Sequence, residues 1–125
     1  MRNIIFVFLL LFLANCEPAS KPAESVAVNS TSASSLEQKL NEDPFLVDVR
    51  TPEEFAEGSV KGAVNIPLDK VQERISEFKN KKNIVTFCRS GKRSSKAIAI
   101  LNENGITDVT NGTDQETIEK AQQSK

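Results

Sequence analysis

Apolar and polar positions alternate in short blocks from Leu36 onward. Phe45-Leu-Val-Asp-Val49 is a brief run rich in β-formers. The chain then changes character at once: Thr51 can cap a helix, Pro52 suits its first turn and Glu54 can close a capping box. A strand followed by a helix that stops by Gly58 is predicted. Ala63 to Ile66 predicts a second strand ending at Pro67, and the spacing of Val71, Ile75 and Phe78 predicts a helix over Asp69 to Phe78. Ile84-Val-Thr-Phe87 predicts a third strand that runs directly into Cys88. Ser94 to Asn104 reads as a helix with Ala97, Ile98, Ile100 and Leu101 on one side and Gly105 placed to end it. Ile106 to Thr110 predicts the last strand, and Asp114 can cap a helix through Ala121. This alternation predicts an α/β domain, a doubly wound parallel sheet with helices on both faces. Ligands bind such sheets beyond the carboxyl ends of the strands, where the pattern brings Asp48 and Arg50 after the first strand and Cys88 after the third.

The N-terminal pattern is different. Arg2 precedes an apolar run from Ile4 to Ala14, shorter than the roughly twenty residues of a membrane-spanning helix and suited to a signal-peptide core. The run ends in Leu13-Ala-Asn-Cys16, which resembles the lipobox of bacterial lipoproteins, in which the cysteine is lipidated and becomes the first mature residue; Asn15 departs from the small residue usual there. Glu17 to Ser35 is mostly Ser, Ala, Pro, Val, Asn and Thr with no sustained period. It predicts a flexible tether with a reach on the order of 25 Å. The expected organisation is a signal peptide over 1–15, a lipidated Cys16 and tether over 16–35, and a folded domain over 36–125. That organisation implies an exported protein, periplasmic or at the cell surface, held to a membrane by its lipid. The alternative is a cleaved secretion signal with a soluble periplasmic product and an incidental Cys16.

Composition narrows the chemistry. The chain has no histidine, which removes Cys-His and Ser-His catalysis and leaves too few soft ligands for a zinc site, so neither metal nor cofactor is expected. A formal charge of −1 gives no reason to expect a nucleic-acid partner. Two cysteines, Cys16 and Cys88, cannot make a disulfide framework, and Cys88 lacks the Cys-x-x-Cys partner of a thioredoxin-like site.

Cys88-Arg-Ser-Gly-Lys-Arg93 lies between a predicted strand and a predicted helix. Backbone amides of such a loop can curl around the sulfur while the helix directs its positive end toward it. Those amides, with Arg89, Lys92 and Arg93, favour the thiolate, the nucleophilic form. Gly91 is expected to supply a positive φ and room for the backbone to approach an anion. Without these cations a lone cysteine after an apolar strand would read as a core residue. The Lys79 to Lys82 cluster reads as a solvated turn.

Three segments together resemble a single-domain rhodanese: Leu46-Val-Asp-Val-Arg-Thr-Pro-Glu-Glu-Phe-Ala-Glu-Gly58, Gly62-Ala-Val-Asn-Ile-Pro67 and Cys88-Arg-Ser-Gly-Lys-Arg-Ser94. The resemblance implies a sulfurtransferase whose Cys88 takes the outer sulfur of an anionic donor such as thiosulfate and passes it, as a persulfide, to a thiol or cyanide-like acceptor. Arg89, Ser90, Gly91, Lys92 and Arg93 would bind the donor, with Arg50 divided between donor binding and loop support and Asp48 in a supporting role. Ser59 and Lys61 stand where the family commonly has His and Pro, and Asn111-Gly-Thr113 lacks the family's second Gly and following Trp. A site on one loop requires no second subunit, so a monomer is expected.

Two other readings stay open. A persulfide carrier or binding module that does not turn over would need the same activated Cys88. A cysteine phosphatase or arsenate reductase shares the thiolate in an anion loop, but the spacing from Cys88 to Arg93 is one residue short of the tyrosine-phosphatase pattern.

Overall fold

The computed structural model describes residues 28–124. The predicted leader, Cys16 and the first part of the predicted tether lie outside the described residues. The order of elements is α1 (Val28–Asn41), β1 (Phe45–Asp48), α2 (Pro52–Glu57), β2 (Val64–Asn65), β3 (Ile84–Cys88), α3 (Lys92–Glu103), β4 (Val109–Asp114) and α4 (Gln115–Gln123), with two short 3-10 turns between β2 and β3. The strands form one sheet in the order β2-β1-β3-β4 with every pairing parallel, as the alternating pattern predicts.

Alternation along the strands assigns the two faces. Ile84 and Cys88 of β3 join Val47, Val49, Ala97 and Leu101 in a core on the α3 side. Val85 and Phe87 join Leu46, Leu36, Leu40 and Ile118 on the side of α1 and α4. This period of two follows from side chains pointing alternately across a pleated strand. Helices therefore cover both faces. Asp48 pairs in register with Phe87, so β1 and β3 end together and deliver Arg50 and the Cys88 loop to the same rim.

Four elements depart from the sequence expectations. The helical backbone of α1 begins at Val28, inside the segment expected to be tether. Leu36 and Leu40 are buried against the sheet, and residues without Pro or Gly continue the helix toward the N-terminus from that anchor. The Asp69 to Phe78 segment is not an α-helix but two 3-10 turns, Leu68–Lys70 and Ile75–Glu77. Val71 and Phe78 are still fully buried, each closing one of the turns by donating its amide to Leu68 O or Ile75 O. Helix α3 begins at Lys92 rather than Ser94. The last strand is Val109–Asp114 rather than Ile106 to Thr110; Ile106 instead donates its amide to Leu101 O and closes the end of α3.

Within this strand, Gly112 is required by space. A Cβ there would lie 2.8 Å from Ile118 Cδ1 and 3.0 Å from Val85 Cγ1. Only glycine lets β4 approach α4 and β3 this closely. Among the described residues no helix is long and apolar enough to cross a membrane.

Candidate active site

The first wall of the rim is a buried ion pair. Asp48 is fully buried, and Arg50 donates Nε to both of its carboxylate oxygens at 2.9 Å and Nη2 to Oδ2 at 2.6 Å. Ser59 Oγ adds a 2.7 Å bond to Asp48 Oδ2, and Arg50 Nη2 reaches Gly58 O at 2.7 Å. Every strong contact of Arg50 thus closes the segment 50–59 over the end of β1. Ser59, in the position where the family commonly has His, fills a lone pair of the buried carboxylate.

Helix α2 leaves this segment through the predicted cap. Glu54 N donates to Thr51 Oγ1 at 3.3 Å, and Thr51 N donates back to Glu54 Oε2 at 3.0 Å, with Pro52 in the first turn.

The second wall is the loop after β3. Cys88 is 2 % exposed, and Gly91 N donates to its Sγ at 3.1 Å. Burial pushes the thiol up, but the amides of Ser94, Ser90, Arg93 and Gly91 outweigh burial and hold it below its ordinary value. The lowering begins with the backbone, since a helix N-terminus presents amides without partners of their own. Arg93 adds a Coulombic attraction to Cys88. Gly91 has φ +80° as the N-cap residue of α3, the positive angle expected of it. A Cβ on Gly91 would meet Asn111 and Thr113 at 3.4–3.5 Å, ordinary contact. Within the chain, conformation rather than space therefore demands glycine at this position.

Behind the loop, Ser94 Oγ donates to Thr86 O at 2.8 Å and lies 2.6 Å from Thr86 Oγ1. With the serine proton committed to the carbonyl, the threonine hydroxyl is the donor of the second bond. Asn111 Nδ2 donates to Gly91 O at 3.1 Å and to Ser95 Oγ at 2.9 Å, which ties β4 to the turn.

The cations of the loop are unequally placed. Arg93 donates Nη1 to Glu54 Oε2 at 2.6 Å and Nη2 to Oε1 at 3.0 Å, and Arg89 Nε donates to the same Oε1. Arg93 first, then the Thr51 amide and Arg89, hold the Glu54 carboxyl far below the usual carboxylate range. Lys92 is exposed and makes no ion pair among the described residues. A depression of about 340 Å³ beside the loop is lined by Val49, Thr51, Pro67, Leu68, Asp69 and Arg93. A larger one, about 460 Å³, lies at the other end of the sheet beside Phe45 and Lys81, away from Cys88.

The structure thus brings the amides of Ser90, Gly91, Arg93 and Ser94 to the Cys88 sulfur, puts the Arg89 and Arg93 side chains on Glu54 and leaves Lys92 exposed, places Arg50 and Asp48 in the adjoining wall, and leaves Cys16 outside the described residues. Sequence reasoning assigned Glu54 only to its cap and gave no role to Thr86, Ser94 or Asn111. The capping spacing marks Glu54 locally, but its arginine partners lie 35 and 39 positions away.

A thiol held low by amides at a strand-to-helix turn, on a parallel sheet covered on both faces, defines a class of anion-loop cysteine proteins. The rhodanese-like domain model matches residues 32–113, and the chain belongs to that family. It is 41% identical over 86 residues to a sulfurtransferase of Allochromatium vinosum, covering 67% of this chain and 80% of the relative. It is 43% identical over 67 residues to the thiosulfate sulfurtransferase PspE of Escherichia coli, covering 52% of this chain and 64% of that one. Among solved structures it resembles a rhodanese with anions from E. coli, with TM-score 0.55 and 39% identity over 60% of this chain and 91% of that one.

Proposed function

We propose that the chain is a sulfurtransferase that moves sulfane sulfur from an anionic donor such as thiosulfate to a thiol or cyanide-like acceptor through a persulfide on Cys88. The observation that carries this reading is the buried Cys88 sulfur at the head of α3 with the Gly91 amide directed at it across 3.1 Å, in a chain without histidine. The names of the relatives point the same way.

The chemistry requires little else. The Cys88 thiolate attacks the outer sulfur of thiosulfate; an Sγ–S bond forms, the donor's S–S bond breaks and its electron pair leaves with sulfite. The loop amides then face the negative outer sulfur of the persulfide, and Arg89, Lys92 and Arg93 offset the charge of the departing sulfite. An acceptor such as cyanide attacks that outer sulfur, leaves as thiocyanate and returns the electron pair to Sγ. Arg50, engaged by Asp48 and Gly58, supports the wall of the site in this scheme. The proposal extends to location: export by residues 1–15 and a lipid on Cys16 would hold the domain at a membrane.

Steady-state kinetics with thiosulfate and cyanide test the reading. Parallel double-reciprocal lines, abolished by Cys88→Ser, are expected for a two-step transfer. A single loading without turnover would replace the enzyme with a carrier, and no loading by the folded, reduced chain would remove sulfur transfer altogether.

A further inference from the structure

The Glu54 carboxylate accepts four hydrogen bonds, from Thr51 N, Arg89 Nε, Arg93 Nη1 and Arg93 Nη2. The two arginines bracket the sulfur loop, one directly after Cys88 and one in the first turn of α3. Glu54 is itself fixed by the reciprocal cap of α2 and retains only 18% of its side-chain exposure. It therefore acts as a staple from a rigid helix start across the mouth of the loop.

The staple does not exhaust the cations. A guanidinium has five N–H donors in a planar fork; Arg93 commits two bonds to Glu54, and Arg89 commits one, with its Nη2 3.8 Å from Glu57 Oε2. Their side chains remain 32% and 62% exposed. A negative charge near an anion site is unfavourable by Coulomb's law alone, so its retention here needs an offsetting benefit, and pre-orientation of two flexible arginines supplies one.

We infer that Glu54 is a positioning residue for the anionic donor, holding Arg89 and Arg93 at the mouth of the Cys88 loop with their remaining N–H groups turned to the incoming anion. The inference rests on the proposed sulfur-donor reading and assigns Glu54 no contact with the reacting atoms.

The test separates positioning from bulk charge by sign. In the full chain carrying Cys88→Ser, thiosulfate binding is measured by titration calorimetry with and without Glu54→Gln. Loss of the staple is expected to weaken binding on the order of tenfold, the scale of one charge-assisted hydrogen-bond pair. In the chain with Cys88 intact, the KM for thiosulfate should rise much more than kcat falls, and alkylation by neutral iodoacetamide should change less than about twofold, on the scale of a minor electrostatic perturbation. Unchanged or tighter binding would overturn the inference, because tighter binding is what removing a negative charge alone predicts. Should Glu54→Gln fail to fold, Glu54→Asp keeps the charge and shortens the reach to both arginines: weakened thiosulfate binding supports positioning, and unchanged binding overturns it. If the Cys88→Ser chain binds no thiosulfate, the donor reading falls together with this inference; if it binds and Glu54→Gln matches it, the inference alone falls.

Discussion

Gly91 N points at Cys88 Sγ across 3.1 Å, from a residue with φ +80°. The two facts are linked: the left-handed turn at Gly91 brings its amide, with those of Ser90, Arg93 and Ser94, onto one sulfur. The thiol should therefore be alkylated with a pH midpoint below that of an ordinary cysteine, about 8.5. Gly91→Ala has room for its Cβ but must hold a strained φ, so a stability loss of about 1–2 kcal/mol is expected, together with a midpoint moved up toward the ordinary value. Iodoacetamide rates against pH and urea unfolding measure the two effects. Because the folded thiol titrates low, its contribution to stability should appear as pH rises through the folded midpoint and be complete above the unfolded value; the difference between wild type and Cys88→Ser should grow with pH accordingly.

Arg50 and Asp48 form the buried pair under the site. Arg50→Ala leaves a fully buried carboxylate without its charged partner, and a loss of about 3–5 kcal/mol is expected. Arg50→Ala combined with Asp48→Ala should cost less than the sum of the two single changes, the signature of direct coupling. Denaturant titration of all four proteins reads this directly. Additive losses would show that the pair is not coupled.

Gly112 owes its identity to space rather than to dihedral freedom. Gly112→Ala should destabilise by about 1–3 kcal/mol through overpacking against Ile118 and Val85. Ile118→Val removes the Cδ1 that lies 2.8 Å from the added Cβ, so the double variant should regain part of the loss caused by Gly112→Ala in thermal unfolding.

Local features of this fold were legible because their causes are local. The run Ile84 to Phe87 and the Thr51–Glu54 cap are each written within a few consecutive residues, and both appear where expected. The need for glycine at position 112 was hidden because Ile118 and Val85 approach it only in the folded state. The spacing of Val71, Ile75 and Phe78 suits an α-helix, yet the segment folds as two separate turns that Val71 and Phe78 close. The start of α1 depends on Leu36 and Leu40 finding the sheet, which a Ser-rich composition does not reveal. At the site, Cys88 and its loop were readable as a continuous motif, whereas Glu54 reaches the loop only through contacts distant in sequence.

The central claim is that sulfur resides covalently on Cys88. Incubating the full chain with thiosulfate and recording its intact mass tests it most directly. A gain of about 32 Da, one sulfur atom, that is absent in Cys88→Ser and removed by cyanide is the predicted result. A folded, reduced chain that gains no mass, or gains it equally without Cys88, would contradict the account.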